Sequence, residues 1–114
     1  IKAVGGEGRF KLVHDTFHHH LAGGGPIFPQ HTGIVHISGV TDPSLKPEDM
    51  ADGHRILVDA DDRLGNIAQI RALLDAGYTG TFSYEPFSPE VHAVSDPGAT
   101  HRQSMQFIGS ALAA

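Results

Sequence analysis

The chain of 114 residues contains no cysteine. A disulfide scaffold, a thiolate zinc site and a cysteine nucleophile are therefore excluded. Basic residues are also few: 8 Lys and Arg stand against 13 Asp and Glu, giving a net charge of −5, and no Lys/Arg cluster occurs anywhere. A basic face for nucleic acid is excluded with them. No apolar run approaches the roughly 20 residues of a membrane span. What remains is an acidic chain, 39% hydrophobic and so able to form a core, carrying 9 His, 14 Gly and 7 Pro. Cytoplasm is the default expectation.

Three short β-type runs each end on a group that ligates metals. Asp15 closes the run that begins at Phe10, His36 stands in Gly33-Ile34-Val35-His36-Ile37-Ser38, and Glu85 follows Thr81-Phe82-Ser83-Tyr84. A barrel of alternating strands and helices gathers its site in this way, at the C-terminal ends of parallel strands. Two carboxylates and an imidazole suit a borderline-hard divalent ion.

The spacing predicts strands over 10–13, 34–37 and 80–85. Leu21-Ala22-Gly23-Gly24-Gly25-Pro26 cannot continue a helix, and only a turn or so fits between Pro26 and Thr32. A polar loop from Thr41 to Asp62, carrying Pro43 and Pro47, is long enough to be functional or disordered. Leu64 to Ala76 reads as a helix with Ile67, Ile70, Leu73 and Leu74 in one stripe and Gly77 as its stop. Pro86 and Pro89 are expected to end regular structure until a last helix begins at Asp96-Pro97, with Met105, Ile108 and Leu112 on one face. Strands alternating with helices indicate a parallel α/β sheet. The opening Ile1-Lys2-Ala3-Val4-Gly5-Gly6 reads as the end of a helix stopped by glycine, so a preceding segment is expected. A complete eight-stranded barrel needs roughly 200–250 residues, and three strand–helix units alone would leave open sheet edges. These units are expected to pack against the remainder of the same barrel or a second copy.

Each candidate has a plainer reading. His36 could be a satisfied core histidine, and Asp15-x-x-His18 a solvent-exposed cap with surface histidines. Glu85 is harder to set aside, because a carboxylate at the end of an apolar strand needs a partner. His18-His19-His20 cannot converge on one ion, since consecutive side chains diverge. Asp52-Gly53-His54-Arg55 is either a solvated turn or a clamp in which His54 or Arg55 reaches substrate hydroxyls or an anionic group.

His14-Asp15-Thr16-Phe17-His18, Val35-His36-Ile37-Ser38, Asp52-Gly53-His54-Arg55 and Ser83-Tyr84-Glu85-Pro86-Phe87 together resemble the xylose-isomerase-like TIM barrels. Within that superfamily the Asp-x-His-Arg loop and the Glu-Pro-Phe-Ser-Pro-Glu run are most similar to the inosose isomerase-like branch of sugar phosphate isomerases and epimerases. The resemblance implies that residues 1–114 are the C-terminal part of one TIM (β/α)8 barrel domain, strands six to eight. It implies one divalent ion, Mn²⁺ first and Mg²⁺, Co²⁺ or Zn²⁺ otherwise, held by Asp15, His36, Glu85 and a fourth carboxylate. That fourth group has no counterpart here; Glu7, in a Gly-rich connection, is not a substitute. It further implies His18 as a substrate contact and Glu85 as a base in proton transfer through an enediolate. The substrate class is a sugar or cyclitol.

The rival enzyme reading is an endonuclease IV-like hydrolase, whose several zinc ligands would include Asp15, His18, His36, Asp52, His54 and Glu85. The acidic charge argues against DNA. A non-catalytic, His-rich metal-binding fragment is the non-enzyme alternative.

Overall fold

The computed structural model describes residues 1–114. Three parallel strands in the order β1 (Leu12–Asp15), β2 (Thr32–Ile37) and β3 (Phe82–Tyr84) form the sheet. Between and after them lie α1 (Thr16–Leu21), α2 (Asn66–Asp75), α3 (Pro89–His92) and α4 (Pro97–Ala113). The register fixes the site. Asp15 is the Cα partner of His36, and His36 and Ile37 pair in turn with Ser83 and Tyr84. The Glu85 amide then donates to the Ile37 carbonyl at 2.9 Å, so the residue that follows β3 stands level with the ends of its neighbours.

Side chains alternate across β2. Val35 and Ile37 turn to one face and are buried with Val58, Ile70, Leu73 and Tyr78, and Phe107, Ile108 and Leu112 of α4 pack on this cluster. His36, one position out of phase, faces the other way. A second cluster of Phe17, Val40, Met50 and Leu64 lies beneath α1 and the long loop.

Helix α2 forms where Ile70 and Leu73, three apart, share a face that removes them from water. It ends because Gly77, at φ 96°, lets the Tyr78 amide reach the Leu73 carbonyl at 2.9 Å and its own amide reach Leu74 at 3.0 Å. This is the paired C-terminal closure that glycine permits, and it brings Tyr78 onto Leu73 in the core. Asp96 caps α4, accepting from the Ala99 amide at 3.0 Å ahead of Pro97.

Several expectations are revised. Thr16 to Leu21, where no element is expected from the sequence, is helical, because Asp15 caps it. The loop 41–62 is ordered: Gly39 and Ile56 exchange both backbone hydrogen bonds, at 2.7 and 2.8 Å. A Cβ at Gly39 would stand 3.0 Å from the Leu57 carbonyl, so glycine allows that close approach. Asp62 then ties the loop's end, accepting from Val40, Leu64 and Asn66 amides. Pro89 opens the short helix α3, with the Ser88 hydroxyl as its cap, instead of ending regular structure. Leu74 is 42% exposed and Met105 59% exposed, so the buried stripe is narrower on both helices than periodicity suggests. The opening residues make a single tight turn, Lys2–Val4, closed by Gly5 at φ 65°.

Candidate metal centre

Asp15 is held before any ligand is considered. Its Oδ1 accepts from the amides of Phe17 and His18 at 3.0 and 3.1 Å, the N-cap of α1. That fixes χ angles a free aspartate would sample and turns Oδ2 toward β2. There, His36 Nδ1 lies 3.9 Å from Asp15 Oδ2 and 2.8 Å from Glu85 Oε2. One ligand atom from each of Asp15, His36 and Glu85 falls within 4.8 Å of the others. Two carboxylate oxygens and an imidazole nitrogen this close together match the donor set of a divalent-ion site.

These three line an open hollow of about 470 Å³, together with His14, His18 and His19. His18 stands in the first turn of α1, at the rim. His14 is buried by contrast, its Nε2 2.9 Å from Gln69 Oε1, and the Gln69 amide nitrogen donates to the Thr16 and Leu64 carbonyls. Through this contact α2 steadies the junction of β1 and α1.

Arg55 occupies a position that sequence reasoning did not assign to it. Its side chain is 1% exposed and does not line the hollow. Nη2 lies 2.8 Å from Asp15 Oδ2 and 3.5 Å from Glu85 Oε2. Nε donates to the Ser38 hydroxyl at 2.9 Å, and Nη1 to Asp52 at 3.2 Å. The guanidinium is flanked by the Phe17 and Phe87 rings, at 4.8 and 5.1 Å from their centroids. A buried charge needs such pairing, and aromatic faces accept a guanidinium where they would not accept an ammonium equally well. Burial alone raises the Asp15 pKa, but the His18 amide and the Arg55 guanidinium outweigh it and hold the carboxyl below its ordinary value.

His54 is turned elsewhere: its Nδ1 accepts from the Ala51 amide at 2.9 Å, and its ring lines a smaller hollow with Asp42 and Ser88. Asp52 meets Arg55, not the three ligands. Glu7 lines a separate hollow near Phe28 and His31. A signal for the Arg55 role does exist in the sequence, since Phe17 and Phe87 directly follow the Asp15 and Glu85 segments; only the fold shows that both rings close on one guanidinium.

No family profile matches the chain, and no curated protein does. Solved structures do. A xylose isomerase domain-containing protein from Salmonella typhimurium LT2 superposes with a TM-score of 0.78 at 33% identity, over 93% of this chain and 40% of that one. The chain has the fold of the xylose-isomerase-like TIM barrel superfamily, in part. A xylose isomerase domain protein from Alicyclobacillus acidocaldarius gives 0.68 at 26% identity, over 91% of this chain and 37% of that one. The IolI protein, in a structure with a bound zinc atom, gives 0.72 at 23% identity, over 86% and 37%. The chain thus spans about two fifths of the length of these xylose-isomerase-like structures. Its three-stranded parallel sheet is a part of their barrel, and the ligand cluster stands at the C-terminal ends of its strands.

Proposed function

We propose that residues 1–114 form part of one barrel domain of a metal-dependent sugar or polyol-ketone isomerase or epimerase, inosose isomerase-like in its substrate class. The observation that carries this reading is the convergence of Asp15, His36 and Glu85 within 4.8 Å at three adjacent strand ends. Asp15 Oδ2, His36 Nδ1 and Glu85 Oε2 are the atoms that would hold the ion, with a fourth ligand from the rest of the barrel. Zinc on the IolI structure supports a divalent ion, and Mn²⁺ is our first choice for this protein. An ion held there would supply Lewis-acid polarisation of a substrate carbonyl and so acidify the adjacent C–H.

The protein's own groups do the rest. Glu85, 34% exposed in its side chain, is reachable from the hollow and takes or returns a proton at carbon. His18, at the rim, hydrogen-bonds a substrate oxygen. Arg55 and His54 face Asp15 and Ala51 and are not substrate contacts in this reading. Asp52 and His54 also stand apart from the ligand cluster, which supports a single-ion centre over a nuclease-like one with several zinc ions. In this proposal the partner is a small polyhydroxylated ketone and the setting is cytoplasmic. No helix of the chain is long and apolar enough to cross a membrane.

The test uses the full-length protein. Metal content should be one ion per site, and keto-sugar or cyclitol-ketone substrates should exchange a C–H proton with deuterated solvent. Three ions per site would favour the nuclease reading; an ion with no exchange on any such substrate would leave only a metal-binding role.

A further inference from the structure

We infer that Arg55 is a positioning residue that sets the angle at which Asp15 and Glu85 present their oxygens to an ion, and so sets the ion's affinity. The inference rests on the metal-centre reading above and adds a role for a residue that is buried and does not line the hollow.

Three observations carry it. First, one nitrogen of Arg55 reaches both carboxylates, at 2.8 Å to Asp15 and 3.5 Å to Glu85, and to the same oxygens that face His36. Asp15 is thereby fixed at both ends, Oδ1 by two α1 amides and Oδ2 by the guanidinium. Only the remaining lone pair of Oδ2 is left for an ion, which makes Asp15 a one-oxygen ligand. Second, the guanidinium is held in place: its Nε donates to Ser38, and the Phe17 and Phe87 rings lie 4.8 and 5.1 Å from it. Third, the side chain is 1% exposed, so water does not compete for these contacts.

Two effects of the guanidinium oppose each other. Its positive charge repels a cation, which by itself weakens binding. Its Nη2 bonds Asp15 and lies 3.5 Å from Glu85, drawing together two carboxylates that would otherwise repel each other, which tightens binding. Asp52, 3.2 Å from Nη1, offsets the charge locally, so the geometric effect decides. Partners that orient metal ligands typically contribute about 10–100-fold in affinity.

The experiment measures Mn²⁺ binding to the full-length protein by calorimetry and electron paramagnetic resonance, for wild type, Arg55→Lys and Ser38→Ala. Lysine keeps the charge but loses the Nε contact to Ser38 and the Nη1 contact to Asp52 that hold Nη2 in place. Arg55→Lys is expected to weaken Mn²⁺ by about 10-fold or more and to broaden the Mn²⁺ signal as the ligands lose a single arrangement. Ser38→Ala, which keeps Arg55 and frees only Nε, should weaken binding by a smaller factor in the same direction, and it serves if the lysine variant does not fold. Equal or tighter binding in either folded variant overturns the positioning role. No Mn²⁺ or Zn²⁺ on the wild type would be the failure of the metal-centre reading instead. The positioning role is then read from a crystal structure of chelated Ser38→Ala or Arg55→Lys. Displaced Asp15 and Glu85 carboxylates there support it, and both carboxylates in wild-type positions overturn it.

Discussion

Asp15 and His36 are direct Cα partners across the β1–β2 ladder. Adjacent strands lie roughly 4.8 Å apart, so side chains of partnered residues on one face meet without any contribution from loops. Because side chains alternate with a period of two, a slip of one residue would send His36 into the Val35–Ile37 face and empty the site of its imidazole. Sheet register is therefore the first determinant of this centre, ahead of any loop.

Glu85 has two roles in the proposed reaction, as ligand and as base. In the full-length enzyme Glu85→Gln keeps the shape of the side chain and removes its charge. Turnover should fall by at least about 10²-fold, the usual scale for a lost general base. Wild-type turnover at saturating Mn²⁺ would remove Glu85 from the mechanism.

Ion binding should register as stability. A ligand at about 100 times its dissociation constant adds roughly 2.7 kcal/mol to a protein that binds it only when folded. Chelation of the full-length protein should lower its melting temperature, and Mn²⁺ should restore it. In Asp15→Asn the same titration should produce little shift. A full shift in that variant would mean the ion sits elsewhere.

Acid should act through Asp15. Its carboxyl titrates below the ordinary 3.8 in the folded chain, because the His18 amide and Arg55 outweigh burial. The unfolded chain binds the proton first as pH falls. The stability this group contributes is accordingly complete above the ordinary value and is lost as pH drops through the lower folded value. Chelated wild type should lose stability below about pH 4, and Asp15→Asn should lose less over the same interval. Parallel curves for the two proteins would show that another group controls the acid limb.

Packing separates two neighbours on α2. Leu73 is fully buried in the main cluster, whereas Leu74 is 42% exposed. Leu73→Ala should cost about 2–5 kcal/mol, and Leu74→Ala under about 1 kcal/mol. Denaturant unfolding of the full-length protein measures both, and equal losses would contradict the burial described here.

The sequence shows the three strands, α2, α4 and the three polar strand-end residues that converge because each rests on local pattern: alternation, a stripe of Ile and Leu with a glycine stop, an Asp-Pro cap. Strand-end carboxylates stand out since an apolar strand gives them no other reason to be there. Tertiary contacts were not legible. Arg55 reads as part of a solvated turn or as a substrate clamp, because the carboxylate that buries it, Asp15, lies 40 residues away. His54 looked available because the Ala51 amide that it satisfies is an ordinary backbone group. Helix α1 is too short to show periodicity, and its only cue was Asp15, already read as a ligand.

That double use of Asp15 has an evolutionary side. Asparagine caps helices about as well as aspartate. A change of Asp15 to Asn would keep the α1 start intact while removing the charge that faces His36 and Glu85. The cap would survive, and the proposed ion would lose one ligand charge. The same step would strip the buried Arg55 of its nearest counter-charge, 2.8 Å away, so a change that spares the cap still carries a cost in stability.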